Sequence, residues 1–383
     1  MSGVGVSQDK TYIAGLDGLR AICITLVILG HLGFGALVPG GLGVTVFFFI
    51  SGFLITRLLW QERDRNGGVD LLRFYGRRAL RLFPELLVLL FVLGLIVAPL
   101  LHQPLSPLRA FGALAYWTNY LNIEGLDTCD HCAVVGHLWS LAVEEHFYVV
   151  MPLTLIACAF APRRLIVVCL LVFVAAAAWR VIAFTRLHLP EIYTYEATEC
   201  RLDSIAWGCF AAVAERSWPQ AMGWVRRHGW AVFGGGLALL LVSLGYRGEV
   251  FRATFRYSLQ GLALVGVILP LVLSPKLGRL VALLEWTPLR WMGRRSYAAY
   301  LWHYTALNLS GLAVGVSGAL EAVAHPLQLK ALPLVLAGTW ILAELSYRFV
   351  YTPSQRLKPW LLPRRRPVVG EEIVGRALAE TAR

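Results

Sequence analysis

Residues 20–31 read Arg20-Ala-Ile-Cys-Ile-Thr-Leu-Val-Ile-Leu-Gly-His31, an uncharged apolar run held between two ionisable side chains. Eleven residues are about three helical turns, so in a straight helix the two side chains share a face about 16 Å apart along the axis. Ionisable groups in a membrane segment are costly to bury, and the first reading of such a group is functional. The competing reading makes Arg20 a cytoplasmic helix end and His31 a hydrogen-bonded core histidine. This stretch alone does not separate the two.

The rest of the chain has the same character. Of 383 residues, 57% are hydrophobic and only 15% charged, with a mean hydropathy of +0.63. A soluble chain of this length carries more charge. The apolar residues come in long runs, which makes the chain an all-α, polytopic integral membrane protein. The first ten residues are polar and the first apolar helix holds Arg20 and His31, so no cleaved leader is expected. A net charge of +12 invites a nucleic-acid reading. The arginines, however, gather in short loops between apolar runs, where they set membrane orientation. No nucleic-acid partner is expected. Cys23, Cys158, Cys169 and Cys209 sit in apolar runs and read as packing residues.

About ten spans are expected: 16–38, 43–60, 83–101, 138–160, 165–184, 201–215, 230–246, 256–273, 296–316 and 330–351. Residues 57–81 carry seven arginines and are assigned to the cytoplasm, as are Arg163-Arg164, 216–228, 276–295 and the Arg364–Arg366 run. The chain then crosses an even number of times between 81 and 163. Spans 83–101 and 138–160 supply those crossings, so 106–123 is expected not to cross. Both termini fall in the cytoplasm of a multi-pass plasma-membrane protein. The loop 247–256, with three arginines on the outside, violates the rule. Residues 1–361 form the membrane-embedded domain, and 362–383 a disordered cytoplasmic tail. Cys129 and Cys132 fall in the extracytoplasmic segment, where a disulfide is plausible. No second ligand pair is spaced for a metal, and none is expected.

Five constellations carry chemistry. In the first, His31 is placed to take a proton from a hydroxyl near neutral pH, with Arg20 three turns away. The second, Phe74-Tyr-Gly-Arg77-Arg78-Ala-Leu-Arg81-Leu-Phe-Pro84, sets three cations at the mouth of the third span. They suit a polyphosphate, although the orientation rule or lipid headgroups explain any one of them. The third runs His137-Leu-Trp139-Ser140-Leu-Ala-Val-Glu144-Glu145-His146-Phe-Tyr148. Adjacent glutamates diverge by about 100°, so one is expected to orient His31 or an acceptor hydroxyl and the other to sit at the interface. The fourth, Gly40-Gly-Leu-Gly-Val-Thr45-Val-Phe-Phe-Phe-Ile-Ser51-Gly52, has the small residues that let helices approach closely. The fifth, Ser296-Tyr297-Ala-Ala-Tyr300-Leu-Trp302-His303, adds another intramembrane histidine, read first as structural. Arg201-Leu-Asp203 reads as a local ion pair or a donor to the site.

Taken in order, these motifs resemble the acyltransferase-3 family of integral membrane O-acyltransferases, from about Leu16 to Tyr351. The resemblance implies transfer of an acyl group, acetyl by default, from the co-substrate acyl-CoA to a sugar hydroxyl. It implies His31 as general base with Glu144 as the motif carboxylate, and Arg20, Arg78 and Arg81 as donor-binding or structural cations. Arg77 is grouped with them on the donor from its place in the second constellation. Ser51, Trp139, Ser140, Tyr148 and His303 are candidates for oxyanion stabilisation or acceptor positioning. Two positions depart from the family pattern: Thr45 stands where Asp is frequent, and Glu85 where a small or prolyl residue is common.

The resemblance leans toward a glycosylated natural product of macrolide type as acceptor. A cell-surface polysaccharide or lipid-linked glycan is the alternative. Two readings from other classes remain: a proton-coupled metabolite transporter using His31 and Glu144, and a scaffold binding anionic lipid through its arginines.

Overall fold

The structure is a computed structural model that describes residues 12–35, 37–101, 105–125, 135–315 and 325–362. Cys129, Cys132 and the tail from residue 363 lie outside the described residues. Those described are all-helical, without a strand. Ten long helices set the architecture: α1 Leu16–Leu29, α2 Gly40–Asn66, α3 Leu71–Val92, α4 Trp139–Ala157, α5 Pro162–Thr185, α6 Thr198–Ser217, α7 Gly229–Gly245, α8 Arg256–Leu273, α9 Ser296–Ala313 and α10 His325–Ser346.

Each expected span falls on one of these helices, but not all have the composition of a span. Seven helical stretches are long and apolar enough to cross a membrane, or eight when Pro219–Arg227 and Gly229–Gly245, bent by 91°, count as one. The two that fall short are α6 and α9. At 20 and 18 residues both have crossing length. Their deficit is apolarity, and packing explains it. Helix α6 is enclosed by α2, α4, α5 and α8, and α9 lies against α1, α3 and α10. A helix surrounded by protein has no need of a lipid-compatible surface.

Close approach at the centre depends on glycine. A Cβ on Gly52 of α2 would stand 2.1 Å from the Ile205 carbonyl oxygen of α6, and one on Gly208 of α6 would stand 2.0 Å from that of Phe49. The small residues of the fourth motif therefore do what their spacing implied. Stretch 106–123 forms only Pro107–Leu114 and Thr118–Glu124, too short to cross.

Three boundaries differ from expectation. Helix α1 does not continue to residue 38. It passes into a wide π-type turn over Gly30–Phe34 that closes at Gly33, whose φ of 97° favours glycine. His31 sits inside this turn, so its direction departs from that of a straight helix. The supposed arginine loop 57–81 is largely helical: α2 extends to Asn66, Gly67 ends it at φ 73°, and the Asp70 side chain caps α3 by accepting from the Arg73 amide at 2.9 Å. The third span thus begins at Leu71. Finally, α3 continues through Pro84, which has no N–H to give the Leu80 carbonyl. Ser354 Oγ at 3.1 Å and Gln355 Nε2 at 2.9 Å donate to that carbonyl instead.

Arg201 and Asp203 do not pair locally. Both carboxylate oxygens of Asp203 accept from Arg180 of α5, at 3.0 and 2.7 Å, and Ser258 Oγ donates to one of them at 2.6 Å. Arg180 further donates to the carbonyls of Thr254, at 2.6 Å, and Cys200. Arg201 points elsewhere, into a cage of Phe48, Trp139, Tyr195 and Tyr257. In the exceptional 247–256 loop, Arg252 pairs with Glu191 at 3.5 Å, which offsets part of its charge.

Candidate functional site

A cavity of about 890 Å³ runs from the α2–α3 hairpin into the bundle. On α3, positions 70, 73, 74, 77, 78, 81 and 82 all line it. This is the i, i+3, i+4, i+7 pattern of a single helix face, so one stripe of α3 delivers Arg73, Arg77, Arg78 and Arg81 together. Arg20 of α1, Arg65 of α2 and Lys358 complete the cationic lining, against the carboxylates of Glu62, Asp70 and Glu144. Arg77 pairs with Glu62 at 2.7 Å, Arg78 with Glu145 at 3.6 Å and Arg20 with Asp17 at 3.6 Å. Arg65, Arg73, Arg81 and Lys358 have no ion-pair partner among the described residues. The wall is therefore electropositive, with donors left over for an anion.

Deeper in, hydroxyl groups join the lining around Glu144. Glu144 of α4 accepts from Ser51 Oγ of α2 at 2.9 Å and from the Tyr148 hydroxyl at 3.3 Å. The Arg78 guanidinium lies 3.6 Å from the centre of the Tyr148 ring. The neighbouring Glu145 turns to Arg78. The inner end is formed in part by Ser140 and Tyr300, whose hydroxyls are 2.7 Å apart. The Tyr300 hydroxyl donates to the His137 carbonyl, so Ser140 supplies the proton of the other bond.

Behind Tyr300 stand three histidines. His31 from the π-type turn, His303 from α9 and His137 from the turn before α4 gather around the Tyr304 ring, at centroid distances of 4.8, 4.9 and 4.7 Å. His303 Nδ1 lies 2.6 Å from the Tyr300 carbonyl oxygen, and its Nε2 lies 3.1 Å from His31 Nδ1. A carbonyl only accepts, so His303 Nδ1 carries the proton and its neutral Nε2 accepts. His31 Nδ1 must then donate. The lone pair of a neutral His31 is left on Nε2. The His31 ring is thus held by a second imidazole, itself anchored on a backbone carbonyl.

The residues named from the sequence thus divide. Arg20, Arg77, Arg78, Arg81, Ser51, Ser140, Glu144 and Tyr148 share the cavity. His31 and His303 meet each other beyond it. Among the described residues no glutamate bonds to His31, whereas His303 does. Trp139 packs on Phe48 and Tyr195 beneath Arg201 and forms part of neither group. Sequence reasoning passed over Arg65, Arg73 and Lys358. For Arg73 a signal existed, since Arg73, Arg77 and Arg81 recur every four residues.

Residues 13–344 match the family described as an acyltransferase domain, acyltransferase-3. The chain belongs to the acyltransferase-3 family. It is 31% identical over 363 residues to the peptidoglycan O-acetyltransferase OatA of Listeria monocytogenes, covering 91% of this chain and 56% of that protein. The O-acetyltransferase OatA of Staphylococcus aureus is 31% identical over 369 residues, covering 90% and 57%. The putative peptidoglycan O-acetyltransferase YrhL of Bacillus subtilis is 29% identical over 365 residues, covering 91% and 55%. The chain spans a little over half the length of these relatives. No solved structure matches it.

Both departures from the acyltransferase-3 pattern have a structural setting. Thr45, fully buried, accepts from Arg201 at 3.0 Å. No carboxylate pairs with that guanidinium among the described residues, and the aromatic cage takes its place. Glu85, 2% exposed, accepts from Ser346 Oγ of α10 at 2.7 Å.

Proposed function

We propose that this chain is a membrane O-acyltransferase that moves a short acyl group, acetyl by default, from acyl-CoA to a hydroxyl of a cell-surface glycan. The reading gives the electropositive cavity to the donor. Arg65, Arg73, Arg81 and Lys358 take the phosphates, and the arm extends past Ser51 and Glu144 toward Ser140 and Tyr300. About 16 Å separates Arg20 from His31 along a helix, which is on the order of that arm's reach. By the orientation rule for arginines, the reading sets the cavity mouth and both termini on the cytoplasmic side.

His31 Nε2 takes the proton of the acceptor hydroxyl as its oxygen attacks the thioester carbonyl carbon. The tetrahedral intermediate collapses, the C–S bond breaks, and the thiolate takes the proton back from His31. The products are the ester and free CoA, with His31 neutral again. Glu144, with both oxygens engaged, holds Ser51 and Tyr148 along the cavity wall.

The observation that carries this reading is the Tyr300 carbonyl–His303–His31 chain, which leaves a lone pair on His31 Nε2. It favours chemistry over the transporter and lipid-scaffold readings, which do not require that arrangement. The acceptor rests on the relatives, whose names specify peptidoglycan. They favour a surface glycan over the macrolide-type acceptor toward which the family resemblance leans.

The test is acetyl-CoA turnover by the purified protein in vesicles, with peptidoglycan fragments and macrolide glycosides screened as acceptors by mass. An acetyl gain on a glycan that is lost in His31→Ala supports the proposal. Wild-type transfer rates in a folded His31→Ala protein would overturn the base. Uptake of a solute into sealed vesicles without covalent change would overturn the enzyme.

A further inference from the structure

The reaction just proposed needs a hydrogen-bond donor for the oxygen that becomes negative in the tetrahedral intermediate. The expected donors are all engaged elsewhere. Ser51 and Tyr148 give their protons to Glu144. Ser140 and Tyr300 bond to each other and to the His137 carbonyl. His303 spends its one proton on the Tyr300 carbonyl. Trp139 lies under Arg201.

One group in the histidine cluster is in the opposite condition. His137 is 5% exposed, and neither of its ring nitrogens makes a hydrogen bond among the described residues. The Leu301 carbonyl is near the ring but outside hydrogen-bonding geometry. The ring is nevertheless held firmly. It stacks on Tyr304 at 4.7 Å and 18°, and meets His303 edge-on at 5.0 Å. Its backbone is fixed from both sides: Asn122 Nδ2 donates to the Gly136 carbonyl at 3.0 Å, and Tyr300 donates to the carbonyl of His137 itself. An unmet buried polar group costs stability. Here the cost falls on a rigid imidazole that shares Tyr304 and His303 with His31.

We infer that His137 is a further catalytic residue, whose ring N–H donates to the acyl carbonyl oxygen as the acceptor hydroxyl attacks under His31. The inference rests on the acyl-transfer reading above. A neutral imidazole carries one N–H, which suffices. The ligand removes the deficit: the carbonyl oxygen of a bound thioester accepts weakly, and the oxyanion accepts strongly. The contact therefore counts most in the transition state.

The experiment compares wild type, His137→Phe, His137→Gln and His31→Ala, each purified in detergent, by acetyl-CoA turnover and thermal midpoint. Phenylalanine keeps the stack on Tyr304 and removes the unmet nitrogens. His137→Phe is expected to melt at or above the wild-type temperature while kcat falls by about 10²–10³-fold. KM for acetyl-CoA should hold, because a transition-state contact lowers kcat rather than ground-state binding. Glutamine retains an N–H donor and should recover part of the loss. A His137→Phe protein that turns over at the wild-type rate overturns the inference. So does one whose lost activity tracks lost folding, because the ring would then be structural. His31→Ala separates the two claims: full activity there overturns the base, whereas full activity in His137→Phe alone overturns only the donor.

Discussion

Arg180 with Asp203 and His31 with His303 and His137 are two polar clusters in the same membrane bundle, and they are finished differently. In the first, all three guanidinium nitrogens and both carboxylate oxygens have partners, and both side chains are wholly inaccessible. In the second, His31 is only half-buried, one of its nitrogens keeps a lone pair, and the ring nitrogens of His137 have no hydrogen-bond partner among the described residues. A saturated network joins helices and has nothing left to offer a ligand. A network with an ordered deficit holds capacity for one, at a cost in stability.

The comparison breaks most visibly at Arg180. Arg180→Ala leaves Asp203 charged and buried without its cation, and removing one member of such a pair costs about 3–5 kcal/mol. The expected outcome is a large loss of folded protein, with normal turnover by the molecules that remain. Thermal midpoint and activity per folded molecule check this together. A stable Arg180→Ala protein with greatly reduced turnover would put the saturated cluster into the chemistry. His303→Phe is the counterpart on the other side. It removes the acceptor that fixes the His31 tautomer, and general-base contributions are typically 10²–10⁴-fold. Turnover is expected to fall by about 10²-fold or more while the fold survives. A change in stability with turnover intact would make His303 structural, as its sequence context alone first reads.

Composition and periodicity carried the fold because lipid imposes a length and an apolarity that show in every outer helix. They mark α6 and α9 less clearly for the same reason, since these helices face protein and escape the rule. The arginine stripe was legible as a cluster, but positive charge near a helix end also sets orientation. Only the shared face of α3 separates Arg73 and Arg81 from Arg63, which turns to Phe160. The His31 partner was not legible at all. A contact spanning 272 positions is made by packing α1 against α9. The glutamates drew attention because carboxylates commonly orient histidines, and here a second histidine and a backbone carbonyl fill that place.

The cavity wall sharpens the same contrast at a smaller scale. Arg77, already bound to Glu62, and Arg81, without an ion pair, lie one helical turn apart on the same face. If deficit marks the binding group, Arg81→Ala should raise KM for acyl-CoA by about tenfold or more, the loss of one charge-assisted contact of about 1.5–3 kcal/mol, with little change in kcat. Arg77→Ala should do less, because its contact with Glu62 already offsets its charge. Equal effects from the two would mean that the cavity acts through its summed field, and raising the salt concentration would then weaken both alike.

The smallest effect is expected at Glu85, the acidic departure on α3. Ser346→Ala removes the hydroxyl that donates to it and leaves a buried carboxyl group one hydrogen bond short, worth about 1 kcal/mol. Glu85→Gln keeps an acceptor for Ser346 and should cost less. Glu85 does not line the cavity, so both variants should retain KM for acyl-CoA and kcat while the thermal midpoint shifts. A change in turnover without a change in midpoint would instead connect this buried acid to the reaction. The line between saturated and deficient clusters would then have to be redrawn to include a group whose one side-chain hydrogen bond among the described residues is to Ser346.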